Sequence, residues 1–89
     1  MQPHVANYFA KFGYTEADKP LCELCHAPGN SVHHVIPRSH FGSRQREQRD
    51  SWENLICLCG KHHDQAHNGP NVAEFNERIR QFVKERNEK

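Results

Sequence analysis

The sequence is poor in apolar residues and carries almost no net charge. Of its 89 residues, 35% are hydrophobic, the mean hydropathy is −0.99, and methionine and tryptophan occur once each. No apolar run approaches the length of a membrane span, so we expect no membrane partner. The 12 basic and 11 acidic residues leave a formal charge of +1, so the total charge alone does not indicate nucleic-acid binding.

The length predicts a single domain over residues 1–89. A chain this short with so little apolar material needs a further source of stability, such as disulfides, a metal or a partner chain. The first residues lack the basic start and apolar run of a secretory signal, so we expect a cytoplasmic protein. In a reducing compartment, four cysteines beside eight histidines favour a metal site over disulfides.

Two amphipathic helices are predicted to flank the middle of the chain. Apolar residues recur at helical spacing over residues 3–12, and Gly13 ends the pattern. The clearer helix covers residues 71–86. Its apolar positions are Val72, Phe75, Ile79, Phe82 and Val83. We interpret both apolar stripes as faces that cover the core.

Between these helices the sequence predicts two short strands and a third helix. The β-branched segment 31–36 and the apolar segment 54–59 are typical of strands. Residues 38–53 have no regular apolar period, which predicts a loop. Residues 61–67 are predicted to form a helix that ends at the following Gly-Pro pair.

Two ligand pairs have the spacing of a zinc knuckle. They are Cys22-x-x-Cys25, in a tight turn over residues 20–30, and Cys59-x-x-His62; each pair can occupy two corners of a tetrahedron. A structural zinc would tie the start of the hairpin to its end and stabilise the fold. Two alternatives remain open. One is a disulfide or redox pair at Cys22 and Cys25, and the other is Cys57 in place of His62, because alternate strand residues face the same side.

Four histidines outside the knuckle are placed to converge. His33 and His34 are neighbours in the first predicted strand and face opposite sides of it. His63 and His67 share one face of a helix and can hold one metal ion. A hairpin packed on that helix would bring His33 or His34 close to His63. Asp64 is the nearest acid, and we expect it at a solvated position; a purely structural second metal site, or solvated histidines, is the alternative.

Three segments, in this order, resemble the HNH endonucleases. They are Val32-His33-His34-Val35-Ile36-Pro37, Asn54-Leu55-Ile56-Cys57-Leu58-Cys59 and His62-His63-Asp64-Gln65-Ala66-His67. The three letters of the family name match His34, Asn54 and His63, and the resemblance covers about residues 20–68. It implies an α+β fold, the small ββα-metal or His-Me finger domain, with a zinc knuckle and flanking N- and C-terminal helices.

The resemblance also implies a role for each matched residue. His34 would be the general base that deprotonates the attacking water, and Asn54 would hydrogen-bond the backbone around it. His33, where many relatives have Asp, would bind a divalent metal together with His63 and His67. The separate structural zinc would be held by Cys22, Cys25, Cys59 and His62. Relatives usually have a fourth cysteine at the last of these positions.

The implied reaction is metal-dependent hydrolysis of DNA, leaving 5′-phosphate and 3′-hydroxyl ends. Phosphodiester hydrolysis needs a base that works near neutral pH and a cation that stabilises negative charge, and histidines can supply the base and the metal ligands. Mg²⁺, Mn²⁺, Ni²⁺ and Zn²⁺ all remain candidates for the catalytic metal, although histidine ligands favour transition metals. The small size suits a phage or mobile-element protein, or a subunit that acts with others.

The segment between the predicted strands has a local excess of basic residues. Arginine pairs with phosphate through two parallel hydrogen bonds, so we predict phosphate contacts here, with Arg38 nearest the reaction. The arginines are Arg38, Arg44, Arg46 and Arg49; for each of the last three, a solvated loop position is the alternative. Such contacts do not read base sequence, so we expect low specificity unless a protein partner supplies it. The rival interpretations are a non-catalytic zinc-knuckle module that binds nucleic acid and a zinc-stabilised protein-interaction domain.

Overall fold

The protein folds into two short antiparallel strands and four α-helices within residues 2–88, which the structure, a computed structural model, describes. In chain order the elements are α1 (Pro3–Phe12), β1 (Ser31–His34), α2 (Arg46–Arg49), β2 (Leu55–Leu58), α3 (Gly60–Asn68) and α4 (Val72–Asn87). The predicted α+β class is confirmed, with the order β1–β2–α3 and a helix at each end. Within these residues, no helix has the length and apolar character that crossing a bilayer requires.

Strand β2 is buried on both of its faces, which explains why all of its residues are apolar. On one face Leu55 and Cys57 pack against Tyr8 of α1. On the other face Ile56 and Leu58 pack against a cluster that includes Ile79 of α4. A strand with helices on both faces needs apolar residues at every position rather than at alternate ones.

The register of the hairpin separates the two histidines of β1. His33 pairs with Ile56 and His34 pairs with Leu55. Directly opposed residues of an antiparallel pair have side chains on the same face. His33 therefore lies on the face covered by α3 and α4, and His34 lies on the face covered by α1.

The prediction of an irregular loop over residues 38–53 was wrong, because most of this segment is in short helical turns. These turns are the 3₁₀-helices Arg38–His40, Ser43–Gln45 and Trp52–Asn54, together with α2. Local polar bonds stabilise them instead of an apolar stripe. The Gly42 amide donates to Gln45 Oε1 at 3.0 Å, and Ser51 Oγ accepts from the Glu53 amide at 3.4 Å. Such single turns leave no apolar period in the sequence.

The turn that carries the first two cysteines packs tightly on β2 at Gly29. A Cβ atom at this position would lie 2.4 Å from both the Cys57 Sγ and the Pro20 carbonyl oxygen. Both distances are shorter than any van der Waals contact, so only glycine fits. This close approach holds the turn against the end of the hairpin.

Candidate metal centres and active-site cleft

The structure brings the four predicted knuckle ligands together. Cys25 Sγ lies 3.8 Å from Cys59 Sγ, and His62 Nδ1 lies 3.5 Å from Cys22 Sγ and 3.3 Å from Cys59 Sγ. A tetrahedral zinc with Zn–S bonds of about 2.3 Å and Zn–N bonds of about 2.0–2.1 Å requires S···S and S···N separations of about 3.8 and 3.6 Å. The donor set therefore fits a zinc ion, and the knuckle is a potential zinc-binding site.

Local backbone geometry preorganises these ligands. The first pair lies in a turn closed by hydrogen bonds from the Cys22 amide to the Ala27 carbonyl and from the His26 amide to the Cys22 carbonyl, both 2.8 Å. Cys59 caps the N-terminus of α3 and accepts from the His62 amide. Burial alone would raise the pKa of the Cys22 thiol, but nearby backbone amides and His62 lower it to about 6. A low thiol pKa favours the thiolate, which is the form that binds zinc.

Cys57 lies away from the knuckle, and all four cysteines are free rather than paired in disulfides. Cys57 packs with Tyr8 on the α1 side of β2, whereas Cys59 belongs to the cluster on the α4 side. The expectation that these two cysteines face the same way was wrong, because β2 ends at Leu58 and the chain turns into α3 at Cys59. His62, and not Cys57, therefore lies with the other three ligands.

A second cluster consists of three histidines, one from β1 and two from α3. His33, His63 and His67 each offer a ring nitrogen, and these atoms lie within 4.8 Å of one another. His63 and His67 are adjacent because they are four residues apart on a helix, with ring centroids 4.6 Å apart. Burial, followed by the neighbouring histidines, lowers the pKa of His33 to about 4. The imidazole is therefore neutral at pH 7, and its lone pair can bind a metal ion.

Three imidazoles are a suitable donor set for a divalent transition metal. A catalytic zinc site typically has three protein ligands and keeps one coordination position for water or substrate. The knuckle offers four ligands and would be closed. The two clusters thus differ in whether a coordination position is left open, which is the property that separates catalytic from structural metal sites.

His34 lies outside this cluster and contacts a carboxylate instead. His34 Nε2 is 2.9 Å from Asp50 Oδ1, and each side chain is 11% exposed. The His4 ring of α1 packs on the His34 ring with a centroid separation of 4.5 Å. Hydrogen bonds from Arg49, and then from His34, hold the pKa of the Asp50 carboxyl well below its usual range. Asp50 is therefore an ionised hydrogen-bond acceptor at neutral pH.

Asn54 joins the end of β1 to the segment that carries Asp50. Its side-chain oxygen accepts from the Ile36 amide at 2.8 Å, and its Nδ2 donates to the carbonyls of Ile36 and Arg49 at 3.2 and 2.9 Å. Asn54 is 8% exposed, so these bonds satisfy nearly all of a buried amide group. They tie the backbone that follows β1 to the segment that carries Asp50.

One cleft contains the three histidines of the second cluster together with His34. His62 of the knuckle and His4 do not line it. It is bordered by His33, His34, His63, His67, Arg38 and Arg80. Strand β1 has β2 on one edge only, so side chains from both of its faces can border a cleft at its other edge. The cleft thus places a candidate metal cluster, a separate histidine and two guanidinium groups around one space.

The four arginines expected to contact phosphate occupy different environments. Arg38 borders the cleft. Arg44 and Arg46 are exposed and are not among the residues that line it. Arg49 donates from Nε and Nη2 to the two oxygens of Asp50 at 3.0 and 2.9 Å, so its guanidinium is committed to a neighbouring carboxylate.

Sequence reasoning did not single out Asp50, His4 or Arg80. Asp50 lies 16 residues from His34 in a segment without periodicity, and Arg80 is on the polar face of α4, so neither has a spacing signal. Asp64, which was expected to be the nearest acid, is exposed and accepts a hydrogen bond from Asn68 at 3.1 Å. The nearest acid to the candidate base is Asp50.

Comparison with known proteins identifies the family. A family model described as HNH endonuclease matches residues 22–69, which is more than half of the chain. Searches of curated proteins and of solved structures gave no match. The matched range contains both ligand pairs of the knuckle, the histidines of β1 and α3, and Asn54, and it leaves α1 and α4 outside. This chain therefore belongs to the HNH endonuclease family.

Proposed function

We propose that the 89 residues act as one nuclease domain that hydrolyses phosphodiester bonds of DNA with the help of a divalent metal. Members of the family are typically nucleases, which supports a hydrolase at a coarse level. One observation carries the finer proposal. The His33–His63–His67 cluster and His34, which is not part of it, border the same cleft as Arg38 and Arg80. A metal-binding group, a separate base and cationic side chains are the parts that this hydrolysis needs.

In this proposal His34 is the general base. It takes a proton from the water that attacks the phosphorus, the bond from phosphorus to the 3′-oxygen breaks, and the leaving oxygen is protonated by solvent. The products carry a 5′-phosphate and a 3′-hydroxyl. A positioned base of this kind typically accelerates a reaction by about 10²- to 10⁴-fold.

His33, His63 and His67 would hold the catalytic metal. A divalent metal bound there would stabilise negative charge on the phosphate and on the leaving oxygen. Histidine ligands favour transition metals, so Mn²⁺, Ni²⁺ or Zn²⁺ suit this donor set better than Mg²⁺ does. The second, structural zinc would lie in the knuckle and hold the hairpin in place beside the cleft.

The DNA backbone would lie along the cleft between Arg38 and Arg80. These two residues come from different elements, the first 3₁₀-turn and α4, and border the same space. Arginine is suited to phosphate because its donors match two phosphate oxygens at once. Contacts of this type are independent of base sequence, so we expect low sequence preference, and a protein partner would be needed for a specific target.

A plasmid-cleavage assay tests the proposal. Wild-type protein and His34→Ala, both with zinc content measured, are incubated with supercoiled plasmid in Mg²⁺, Mn²⁺, Ni²⁺ or Zn²⁺, and without added metal. We expect metal-dependent nicking or linearisation by the wild type, and a loss of about 10²- to 10⁴-fold in His34→Ala with unchanged zinc content and folding.

The matched control is His26→Asn, which replaces an exposed histidine outside the cleft. His26 has a φ of 65°, a conformation that asparagine tolerates well. This variant is expected to cut like the wild type. Full activity in His34→Ala would contradict the role of His34 as base. DNA binding without cleavage in every metal would favour the non-catalytic binding module and overturn the proposed activity.

A further inference from the structure

Asp50 is held in place by hydrogen bonds of both its backbone and its side chain. The residue as a whole, backbone and side chain together, is 8% exposed, although it lies between α2 and a 3₁₀-turn. Its amide donates to the Arg46 carbonyl at 3.0 Å, and its carbonyl accepts from Asn7 Nδ2 of α1 at 2.8 Å. The preceding carbonyl, that of Arg49, accepts from Asn54. The backbone at this position is therefore fixed from α1, from α2 and from the 3₁₀-turn that precedes β2.

The side chain of Asp50 uses both oxygens. Oδ1 lies 2.9 Å from His34 Nε2 and accepts from Arg49 Nε at 3.0 Å, while Oδ2 accepts from Arg49 Nη2 at 2.9 Å. The bidentate pair with Arg49 fixes the plane of the carboxylate. The carboxylate is thus a rigid acceptor aimed at one nitrogen of His34.

We propose that Asp50 is a positioning residue for His34. An ionised carboxylate can only accept a hydrogen bond, so Nε2 of His34 must carry a proton, and in the neutral imidazole Nδ1 is then the nitrogen with the free lone pair. The imidazole is thereby held in one tautomer, with Nδ1 as the atom that can accept a proton from water. This inference rests on the proposed role of His34 as general base.

His4 restricts the same ring from a second direction. Its imidazole packs on that of His34 with an interplanar angle of 42°. His34 is therefore held by a hydrogen bond from Nε2 and by a packing contact with the tilted ring of His4. Rotation about the side-chain bonds of His34 would break the first and disrupt the second. Neither Asp50 nor His4 is a proposed ligand of the histidine cluster.

The first test reads the tautomer directly in the wild-type protein. Long-range ¹H–¹⁵N NMR of ¹⁵N-histidine-labelled protein at neutral pH distinguishes a protonated from an unprotonated ring nitrogen, and His34→Gln assigns the signals. We expect the proton on Nε2 of His34. A proton on Nδ1 would overturn the proposal, whether or not the protein cuts DNA.

The second test replaces the carboxylate by its neutral isostere. In Asp50→Asn we expect His34 to lose the single tautomer and kcat to fall by about 100-fold, while KM and zinc content are unchanged. Asp64→Asn is the matched control, because Asp64 is an exposed acid bonded only to Asn68 within the described residues. The control is expected to keep the wild-type kcat.

The outcomes separate this inference from the proposed function. If wild type cuts and His34→Ala does not, a wild-type kcat in Asp50→Asn overturns the positioning role alone. If the wild type cuts in no metal, the proposed function fails, and the NMR result still decides whether Asp50 sets the tautomer. His4, His34 and Asp50 are also close enough to share a metal ion. Loss of one metal equivalent in Asp50→Asn would make Asp50 a ligand and overturn the proposal.

Discussion

Arg86 Nη1 lies 2.8 Å from Glu23 Oε2, although 63 residues separate the two in the sequence. The two side chains are 15% and 16% exposed. The same guanidinium donates to the carbonyls of Leu55 and Trp52, and Glu23 accepts from the Tyr8 hydroxyl. The last turn of α4 is thus bound to the knuckle turn, to β2 and, through Glu23, to α1.

This network predicts that Arg86→Ala lowers the free energy of unfolding by about 2–4 kcal/mol, because it leaves the partly buried Glu23 carboxylate without its cation. The side chain also packs over the rings of Phe12 and Trp52, so its removal costs packing as well. Urea unfolding of the zinc-loaded protein, followed by circular dichroism, measures the change.

Arg78→Ala is the control for Arg86→Ala. Arg78 is on the same helix, is 75% exposed and pairs only with Glu74 among the described residues. An exposed pair of this type contributes about 0.2–1 kcal/mol. Equal losses of unfolding free energy in the two variants would show that the Arg86–Glu23 pair stabilises the fold no more than an exposed ion pair does.

The knuckle makes a second prediction, which concerns zinc. Cys22→Ala should lose the bound zinc and the cooperative melting transition, because the apolar core is small and zinc binding supplies folding free energy. Zinc content by mass spectrometry and thermal melting are the measurements. Cys57→Ala is the paired variant, since Cys57 is a buried cysteine outside the ligand set, and it should keep its zinc. A wild-type melting curve for Cys22→Ala would count against a structural role for zinc.

The parts of the site that sequence predicted are those set by local spacing. Cys22 and Cys25 are three residues apart in one turn, and His63 and His67 are one helical turn apart, so each pair is defined without knowledge of the rest of the fold. The separation of His33 from His34 follows equally from the two-residue period of a strand. Helices α1 and α4 were predicted to within one residue at each end, because their apolar stripes are long.

The parts that sequence could not predict depend on contacts between distant segments. Asp50 reaches His34 only because short turns, held by local polar bonds, fold the intervening chain back over β1. The ion pair of Glu23 with Arg86 likewise requires the complete fold. The failure at Cys57 was of another kind, since it depended on β2 ending one residue before Cys59. Because Cys59 lies outside the strand, the two-residue alternation of strand side chains does not set its direction.

A third prediction separates the two metal sites. Wild-type protein, loaded with Zn²⁺ and freed of excess metal, should bind about two equivalents, and His63→Ala should bind about one because only the four-ligand knuckle remains intact. His26→Asn should match the wild type. Folding of His63→Ala, judged by its melting curve, should be preserved. Equal metal content in His63→Ala and wild type would remove His63 from the ligand set.

The fourth prediction concerns Arg80, which lies in α4 beyond the family match and borders the histidine cleft. Its guanidinium pairs with Glu77, but the pair is exposed, with Arg80 45% accessible, so a phosphate can replace the carboxylate at little cost. Arg80→Ala should weaken DNA binding and reduce the slope of log affinity against log salt by about one.

Arg78→Ala, two residues away and outside the cleft lining, removes the same charge and should leave affinity and slope nearly unchanged. Fluorescence anisotropy of a labelled duplex over a salt series measures both. Equal losses in the two variants would mean that α4 contributes only general positive charge, and that the DNA backbone does not lie in the cleft.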